Sequence, residues 1–335
     1  VAAGIYGVVW LTQQAARRGV PAYVVPPACA LWLVLLAGWN ARLNGFTPLA
    51  AHYAAPAITA HDRLGQQLLR LIPSGASVSA MDQLDPHLGD RPITYLFPDV
   101  GDAHAGYAQY VALDVTTNAS PGTADDPLQQ TIPADQHRAA MALLASRRYK
   151  ILAAEDGYLI LQRTPALLPQ APTLSPRFFS FMLGSGGAPM HPLARFGTAL
   201  ELVGVGIERR EQVNLRVPDA ILTTTWRVLR PLPPGVRLHV LVTDTGGRLK
   251  NDFTDFAAMD WLPPDRWRVG QLVRIRSQQL SFVDLQPGSV SLRLRIDDGG
   301  SRQDHVFAPR LIGDEQAFVV LPDDSFEVAR LRIVF

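Results

Sequence analysis

The sequence predicts a multi-domain protein in which a transmembrane helical hairpin precedes a small α/β domain and an antiparallel β-sandwich of the jelly-roll or Ig-like type. Three observations predict this fold class. Residues 19–41 form an uncharged run of 23 residues, strands alternate with helices over residues 57–165, and the hydrophobic period changes to two after residue 192. A length of 335 residues also exceeds that of one typical domain.

Composition excludes several classes of function. Lys and Arg total 31 against 30 Asp and Glu, so the chain has no net field that would favour nucleic acid. The single cysteine, Cys29, cannot form an internal disulfide. The sequence contains no glycine-rich phosphate loop, no HExxH, no paired-cysteine metal motif and no GxSxG elbow. It therefore predicts no cofactor, no metal site and no self-contained catalytic site.

The membrane hairpin is assigned to residues 1–50. The run at 19–41 matches the roughly 20 apolar residues that a span needs, and residues 1–12 have the composition of the tail of an earlier span. Arg17 and Arg18 lie between the two segments, and only Arg42 follows nearby. Because positive loops stay in the cytoplasm, residues after about 42 are expected on the extracytoplasmic side. The alternative is a buried core helix in a soluble protein.

The α/β domain is assigned to residues 57–165. Leu64 and Leu68 recur at helical spacing in a helix over 58–72 that ends at Pro73. The other predicted elements are strands at 76–82, 93–97 and 110–113, a second amphipathic helix at 135–148, and a hairpin of 149–153 and 157–163 that turns at Asp156-Gly157.

His87 is the first candidate site residue. It follows the Asp85-Pro86 start of a one-turn helix, and Arg91 lies close by in the chain. Asp85, His87 and Arg91 together form a candidate polar site, because a catalytic or binding histidine needs charged neighbours that perturb it. The alternative is that His87 braces the turn through Asp85 or a backbone carbonyl. The same two interpretations apply to His61.

The segment 166–191 is proline-rich and is assigned as a linker or a crossing strap. The sandwich follows over 192–335, where turn signals separate short alternating segments. Its strands are predicted at 200–207, 220–229, 237–243, 271–280, 289–296, 317–321 and 328–335.

Trp261 is the candidate ligand-binding residue of the sandwich, with Asp260 and Trp267 beside it. Tryptophan offers an apolar face that stacks on sugar rings, and Trp261 lies in a predicted loop where it is expected to be exposed. Trp226 falls in mid-strand and Trp267 precedes a Val-Gly corner, so both are expected to fill the core.

Two stretches resemble known families. The run IPSGASVSAMDQLDPHLGDRPITYLFPDV, followed by YVALD, resembles the extracytoplasmic end of the domain-of-unknown-function family 2079, bacterial membrane proteins similar in outline to polytopic polyprenyl-phosphate-sugar glycosyltransferases. Trp226-Arg227-Val228, the strand and turn at 240–247, and Trp267 with Val269-Gly270 resemble carbohydrate-binding-like β-sandwich modules at the C-termini of such proteins. The acidic residues that carry sugar transfer in those enzymes would lie upstream of Val1, so none transfers to this chain.

The resemblance implies an extracytoplasmic region in the bacterial cell membrane that is accessory to sugar transfer from a polyprenyl-phosphate donor. The implied partners are the lipid bilayer, the upstream membrane domain of the same protein, and a glycan or lipid-linked sugar. The alternative is a non-enzymatic membrane-anchored module whose sandwich binds carbohydrate or protein. A soluble secreted enzyme is a third hypothesis, which requires the run at 19–41 to be buried in protein.

Overall fold

A computed structural model describes residues 10, 13–15, 17–18, 21, 23–44, 58–116, 133–184, 191–212, 217–254, 256–278, 280, 282, 288–298, 307, 309–312, 319–321 and 323–333. The chain divides into two units, Val1–Ala57 with Gln212–Arg216 and Ile58–Glu211 with Val217–Phe335. The first nine residues of the predicted earlier span lie outside the described residues.

Helix α1, Val25–Asn44, is the long helix of the first unit, and its side chains at 31–36 are all apolar and exposed. The predicted transmembrane hairpin is wrong, because no helix among the described residues is long and apolar enough to cross a membrane. The uncharged length misled the prediction, since Pro26, Pro27, Gly38 and Asn40 lie within the helix and lower its mean hydropathy although none of them is charged.

The fold class is therefore corrected to a mostly β protein, in which the described residues form three five-stranded sheets and few helices. The first sheet and its helices comprise α2 Ala60–Leu69, β1 Val78–Ala80, β2 Thr94–Leu96, β3 Tyr110–Asp114, α3 Pro133–Ala145, β4 Tyr149–Glu155 and β5 Tyr158–Arg163. The strand order is β2-β1-β3-β5-β4. Strand β1 is parallel to β2 and β3, whereas β5 is antiparallel to β3 and β4.

The two helices cover opposite faces of this first sheet. Alternate residues of β3 separate between two cores: Val111 and Leu113 pack with Leu144 of α3, whereas Ala112 packs with Leu69 of α2. The period of two along a strand produces this division, because successive side chains point to opposite faces.

The second and third sheets form the rest of the second unit, which we call the two-sheet domain. The second sheet contains β6 Ala194–Phe196, β7 Leu200–Gln212, β8 Val217–Val228, β11 Leu272–Arg276 and β13 Pro309–Leu311, in the order β11-β8-β7-β6-β13. The third sheet contains β9 Arg237–Thr243, β10 Leu249–Phe253, β12 Gly288–Asp297, β14 Val319–Val320 and β15 Phe326–Ile333, in the order β10-β9-β12-β15-β14.

One apolar core lies between these two sheets. Trp226 of β8 and Phe196 of β6 contribute from the second sheet, and Leu292 of β12 and Phe326 of β15 contribute from the third. The Phe196 ring packs edge-on against both Trp226 and Phe326, at centroid distances of 5.0 and 5.9 Å. Edge-to-face aromatic pairs of this kind stabilise a core beyond the area that they bury.

The proline-rich segment reaches the two-sheet domain as a strap. The described part of this strap includes a 3-10 turn at Pro176–Phe181, which Met182 and Gly184 follow. The carbonyl of Met182 accepts a hydrogen bond from the Arg274 amide at 2.6 Å, and the Gly184 amide donates to the Leu272 carbonyl at 3.0 Å. Phe178 packs against Trp261 of helix α4, Ala257–Trp261, with ring centroids 5.1 Å apart. The strap therefore pairs alongside the edge strand β11 and contacts both cores.

Candidate functional site

The candidate site at residues 85–91 does not assemble around His87. Asp85 and His87 lie in a 3-10 turn, Asp85–His87, and His87 is exposed. The Arg91 side chain is 8% exposed, and its guanidinium donates to the Ile72 carbonyl at 2.9 Å and to Asp90 Oδ1 at 3.2 Å. The arginine therefore fastens the turn to the end of the preceding helix and is not presented to a ligand.

The tryptophan candidates of the two-sheet domain are interior residues. Trp261 is only 6% exposed, so the expectation that it is exposed is wrong. It lies in helix α4, where the ring of His137 packs edge-on against it at 4.8 Å, and Asp260 is its neighbour in the chain. Trp226 and Trp267 are buried, as expected, and Trp267 Nε1 donates to the Leu262 carbonyl at 2.8 Å.

A cavity in the core is too small for a ligand. It measures about 10 Å³, which is the space of roughly one water molecule. Its lining is mainly apolar and includes Trp226, Trp267, Leu238 and Met259.

His61 is the centre of the polar cluster in the α/β layer. It occupies the second position of α2, whose N-terminus is fixed by a capping box between Thr59 and Asp62. Its partners are Asp114 at the end of β3 and Asp156 in the β4–β5 turn. All of these lie at the carboxyl end of the parallel strands, which is the edge where open α/β sheets bind ligands.

Both ring nitrogens of His61 have an acceptor. Nδ1 lies 2.8 Å from Asp156 Oδ2, and Nε2 lies 3.0 Å from Thr116 Oγ1 and 3.3 Å from Asp114 Oδ2. The Thr116 hydroxyl donates to Asp114 Oδ1 at 2.6 Å, and the Thr116 amide donates to the same oxygen at 3.0 Å. Because Thr116 uses its proton on Asp114, its oxygen is left to accept from His61.

The charge of His61 follows from these contacts. Burial favours the neutral ring and lowers the pKa of His61. The hydrogen bonds that the ring makes with Asp114 and Asp156, together with the negative charges of these two residues, outweigh burial and raise this pKa to about 9. The ring is therefore an imidazolium at neutral pH, with both N–H groups donating. Asp114 is 6% exposed, Asp156 is 30% exposed, and the cluster opens to solvent on the Asp156 side.

Tyr158 and two glycines hold the cluster in place. The Tyr158 ring stacks on His61, with centroids 4.3 Å apart. A Cβ at Gly65 of α2 would lie 2.4 Å from Tyr158 Oη, so only glycine allows this close approach. Asp156 and Gly157 both have positive φ, as the two-residue turn between β4 and β5 requires.

The distances resemble those of a catalytic triad. A hydroxyl oxygen, a histidine and a carboxylate follow one another as Thr116, His61 and Asp156, each within hydrogen-bond reach of the next. A histidine acts as a general base through a free ring nitrogen, however. With carboxylates on both sides, His61 has no free lone pair at neutral pH.

The sequence predicts a site neither at Asp114 nor at Asp156, and the carboxylate next to His61 in the chain is that of Asp62. Asp62 instead caps α2, accepting hydrogen bonds from the Thr59 amide at 2.7 Å and hydroxyl at 2.8 Å. One sequence signal points to this pair. Asp114 follows a buried strand and Asp156 lies in a hairpin turn, and both positions fall on the same edge of the sheet.

A second histidine in the two-sheet domain has similar contacts. His239 of β9 lies between Asp252 of β10 and Asp297 of β12, with Nδ1–Oδ1 and Nε2–Oδ2 distances of 2.8 and 2.6 Å. Arg295 adds a contact of 3.6 Å to Asp252. This network joins three adjacent strands, so it ties the third sheet together.

Comparisons with protein-family models, curated proteins and solved structures give no match. The resemblance to family 2079 therefore stays a prediction. Among the described residues, His, Cys, Asp and Glu do not gather in any group of three or more that could hold a metal ion.

Proposed function

We propose that the chain is a non-enzymatic binding module in which the two-sheet domain provides the contact surface and the α/β layer supports it. The observation that carries this proposal is the double hydrogen bonding of His61, in the cluster whose distances come closest to those of a triad. A protonated histidine held by two carboxylates fastens α2 to the sheet, and it does not activate a hydroxyl group.

Carboxylates on both sides distinguish this cluster from a catalytic triad. In a triad one acid orients the histidine and the other ring nitrogen takes the proton of the nucleophile. Here Asp114 occupies the second side and also receives the Thr116 proton. The cluster is therefore a set of fixed hydrogen bonds and ion pairs, and such contacts serve structural support and recognition.

A second candidate function is acyl transfer or hydrolysis with Thr116 as nucleophile. The distances of 3.0 Å from Thr116 Oγ1 to His61 Nε2 and 2.8 Å from His61 Nδ1 to Asp156 favour it. It requires a neutral His61, and therefore a ring pKa below the working pH.

One experiment separates the two candidates. In the intact chain, ¹⁵N NMR of the histidine rings is followed from pH 5 to pH 10, and the protein is exposed to a fluorophosphonate probe at pH 7.5. We expect His61 to stay protonated through pH 8 and Thr116 to stay unlabelled. Labelling that is lost in Thr116→Val and in His61→Gln, but kept in the control His104→Gln, would overturn the proposal.

The accessory role in sugar transfer, with the bilayer and an upstream membrane domain as partners, remains a separate proposal supported by the sequence resemblance. Its test is the removal of residues 57–335 from the parent protein with the preceding part intact. Loss of transfer from a polyprenyl-phosphate sugar is the expected result, and unchanged transfer would contradict it.

A further inference from the structure

The outer face of the second sheet is strongly basic. Arg195 and Glu201 are cross-strand partners in β6 and β7, and Glu201 also accepts from Arg227 of β8. Arg274 and Arg276 of β11 pair with Thr225 and Thr223 of β8, and Arg310 of β13 pairs with Arg195. We call this surface the arginine face; its arginines are Arg195, Arg227, Arg274, Arg276 and Arg310.

The charge of this face is not balanced within it. Among the side chains that the structure describes on this face, the carboxylates are Glu201, which bonds Arg195 and Arg227, and Glu208, which bonds Arg276 at 3.0 Å. These described side chains comprise five guanidiniums against two carboxylates, a charge of +3, whereas the whole chain carries +1. Positive charge is therefore concentrated on one face of a nearly neutral protein.

Arg310 lies directly across from Arg195, whose guanidinium bonds Glu201 at 2.6 Å. Like charges directly across two strands repel each other. Arg274 and Arg310 are exposed, and neither forms a side-chain ion pair with another described residue. Repulsion at this position would be relieved by an anion outside the sheet, because guanidinium groups bind carboxylates through paired hydrogen bonds.

Gly204 and Gly206 of β7 leave the backbone open in the middle of the face. A Cβ at Gly204 would lie 3.4 Å from Thr225 Cβ, and a Cβ at Gly206 would lie 3.9 Å from Thr223 Cβ. Both are ordinary contacts, and neither glycine has positive φ. The fold therefore does not require glycine at these two positions. Glycine nevertheless stands there, although it makes a strand less stable than alanine would. Glycine in a strand also marks a place where a ligand approaches closely.

We propose that the arginine face binds an acidic polysaccharide, in which sugar carboxylates pair with the arginines and sugar hydroxyls meet Thr223, Thr225 and the open backbone of β7. This inference rests on the proposed binding function and names its surface and ligand class. Sugars with carboxylates fit a flat face that combines charge with hydroxyl groups. Single-stranded nucleic acid binds through aromatic stacking as well as charge, and the residues that define this face include no aromatic side chain.

The test is calorimetric titration of the intact chain with a purified oligogalacturonate, which bears one carboxylate per sugar. The fully methyl-esterified oligosaccharide serves as the uncharged control ligand. We expect binding to the acid form, at least ten-fold weaker binding by Arg274→Gln, and unchanged binding by Arg70→Gln, an exposed arginine of the α/β layer. Gly206→Val should weaken binding about five-fold without lowering the unfolding midpoint, because valine favours strands.

Three results would overturn the inference: no binding, equal binding of the acid and the methyl ester, or equal losses in Arg274→Gln and Arg70→Gln. Binding of an RNA oligonucleotide as tight as that of oligogalacturonate would also overturn it, because the face would then be a general polyanion site. If oligogalacturonate does not bind and fluorophosphonate leaves Thr116 unlabelled, the inference about the arginine face is wrong and the proposed binding function stands. If Thr116 is labelled, the proposed function itself is wrong.

Discussion

His61 makes two hydrogen bonds that require its protonated form, so its contribution to stability depends on pH. Its pKa is about 9 in the folded protein against 6.5 in the unfolded chain. The contribution is therefore complete below pH 6.5 and is lost as the pH rises through 9. A difference of this size corresponds to at most ~3.4 kcal/mol, and because solvent reaches the cluster and screens these charges, a contribution on the order of 2–3 kcal/mol is expected.

We predict that His61→Gln lowers the free energy of unfolding at pH 6.5 and has a much smaller effect at pH 10. Urea unfolding at both values measures the difference, and His104→Gln, which changes an exposed histidine, is the control. An equal loss at both pH values would show that His61 acts through packing on Tyr158 and not through charge.

The contact between Gly65 and Tyr158 leads to a prediction for Gly65→Ala. Whether this substitution raises or lowers the stability of the protein depends on which is larger, the gain in helix propensity or the cost of overpacking. Alanine is favoured over glycine inside a helix by about 0.5–1 kcal/mol, whereas overpacking costs about 1–3 kcal/mol. Because Tyr158 is buried and stacked on His61, its hydroxyl cannot retreat from a new Cβ.

Gly65→Ala is therefore expected to destabilise the protein, as measured by the midpoint of thermal unfolding. Gly206→Ala, where a Cβ meets only ordinary contacts, is the matched control and is expected to leave the midpoint unchanged or to raise it. A stabilising Gly65→Ala would mean that α2 does not approach Tyr158 as closely as the structure has it.

At the scale of elements, helix α4 connects the two parts of the second unit through Trp261. This side chain is 6% exposed and packs against Phe178 and His137. Trp261→Ala should cost about 3–5 kcal/mol of unfolding free energy. Trp39→Ala removes the same atoms from a side chain that is 64% exposed, so a change within about 0.5 kcal/mol is expected. Equal effects in urea unfolding would refute the role of Trp261.

Elements with a strong hydrophobic period could be predicted from the sequence. The strand predicted at 289–296 and the helix predicted at 58–72 are confirmed as β12 and α2. Strands β6 and β13 have three residues each, too few to show a period, and β10 is largely exposed, so the sequence did not indicate them. For α1, the uncharged length suggested a membrane span that the composition of the helix does not support.

At the scale of the whole molecule, the polar cluster could not be predicted because its residues meet only through the topology. His61 and Asp156 are 95 positions apart, and His61 and Asp114 are 53 apart. Neither contact can be predicted without knowing that β1 pairs with β3 in parallel and that β3 pairs with β5 in antiparallel orientation. The arginine face is hidden in the same way, since its residues come from five separate strands.

The strap decides where the two-sheet domain begins. Met182 is fully buried in the core between the two sheets, and its carbonyl bonds β11, so a fragment that starts at residue 192 lacks part of that core. Loss of a buried methionine side chain typically costs about 2–5 kcal/mol. We predict that a fragment of residues 172–335 unfolds at higher urea concentration than one of residues 192–335. Met182→Ala in the intact chain should reproduce part of the loss, while Leu167→Ala, at a side chain 55% exposed, should not. Equal midpoints for the two fragments, with no loss in Met182→Ala, would mean that the strap lies on the domain without stabilising it.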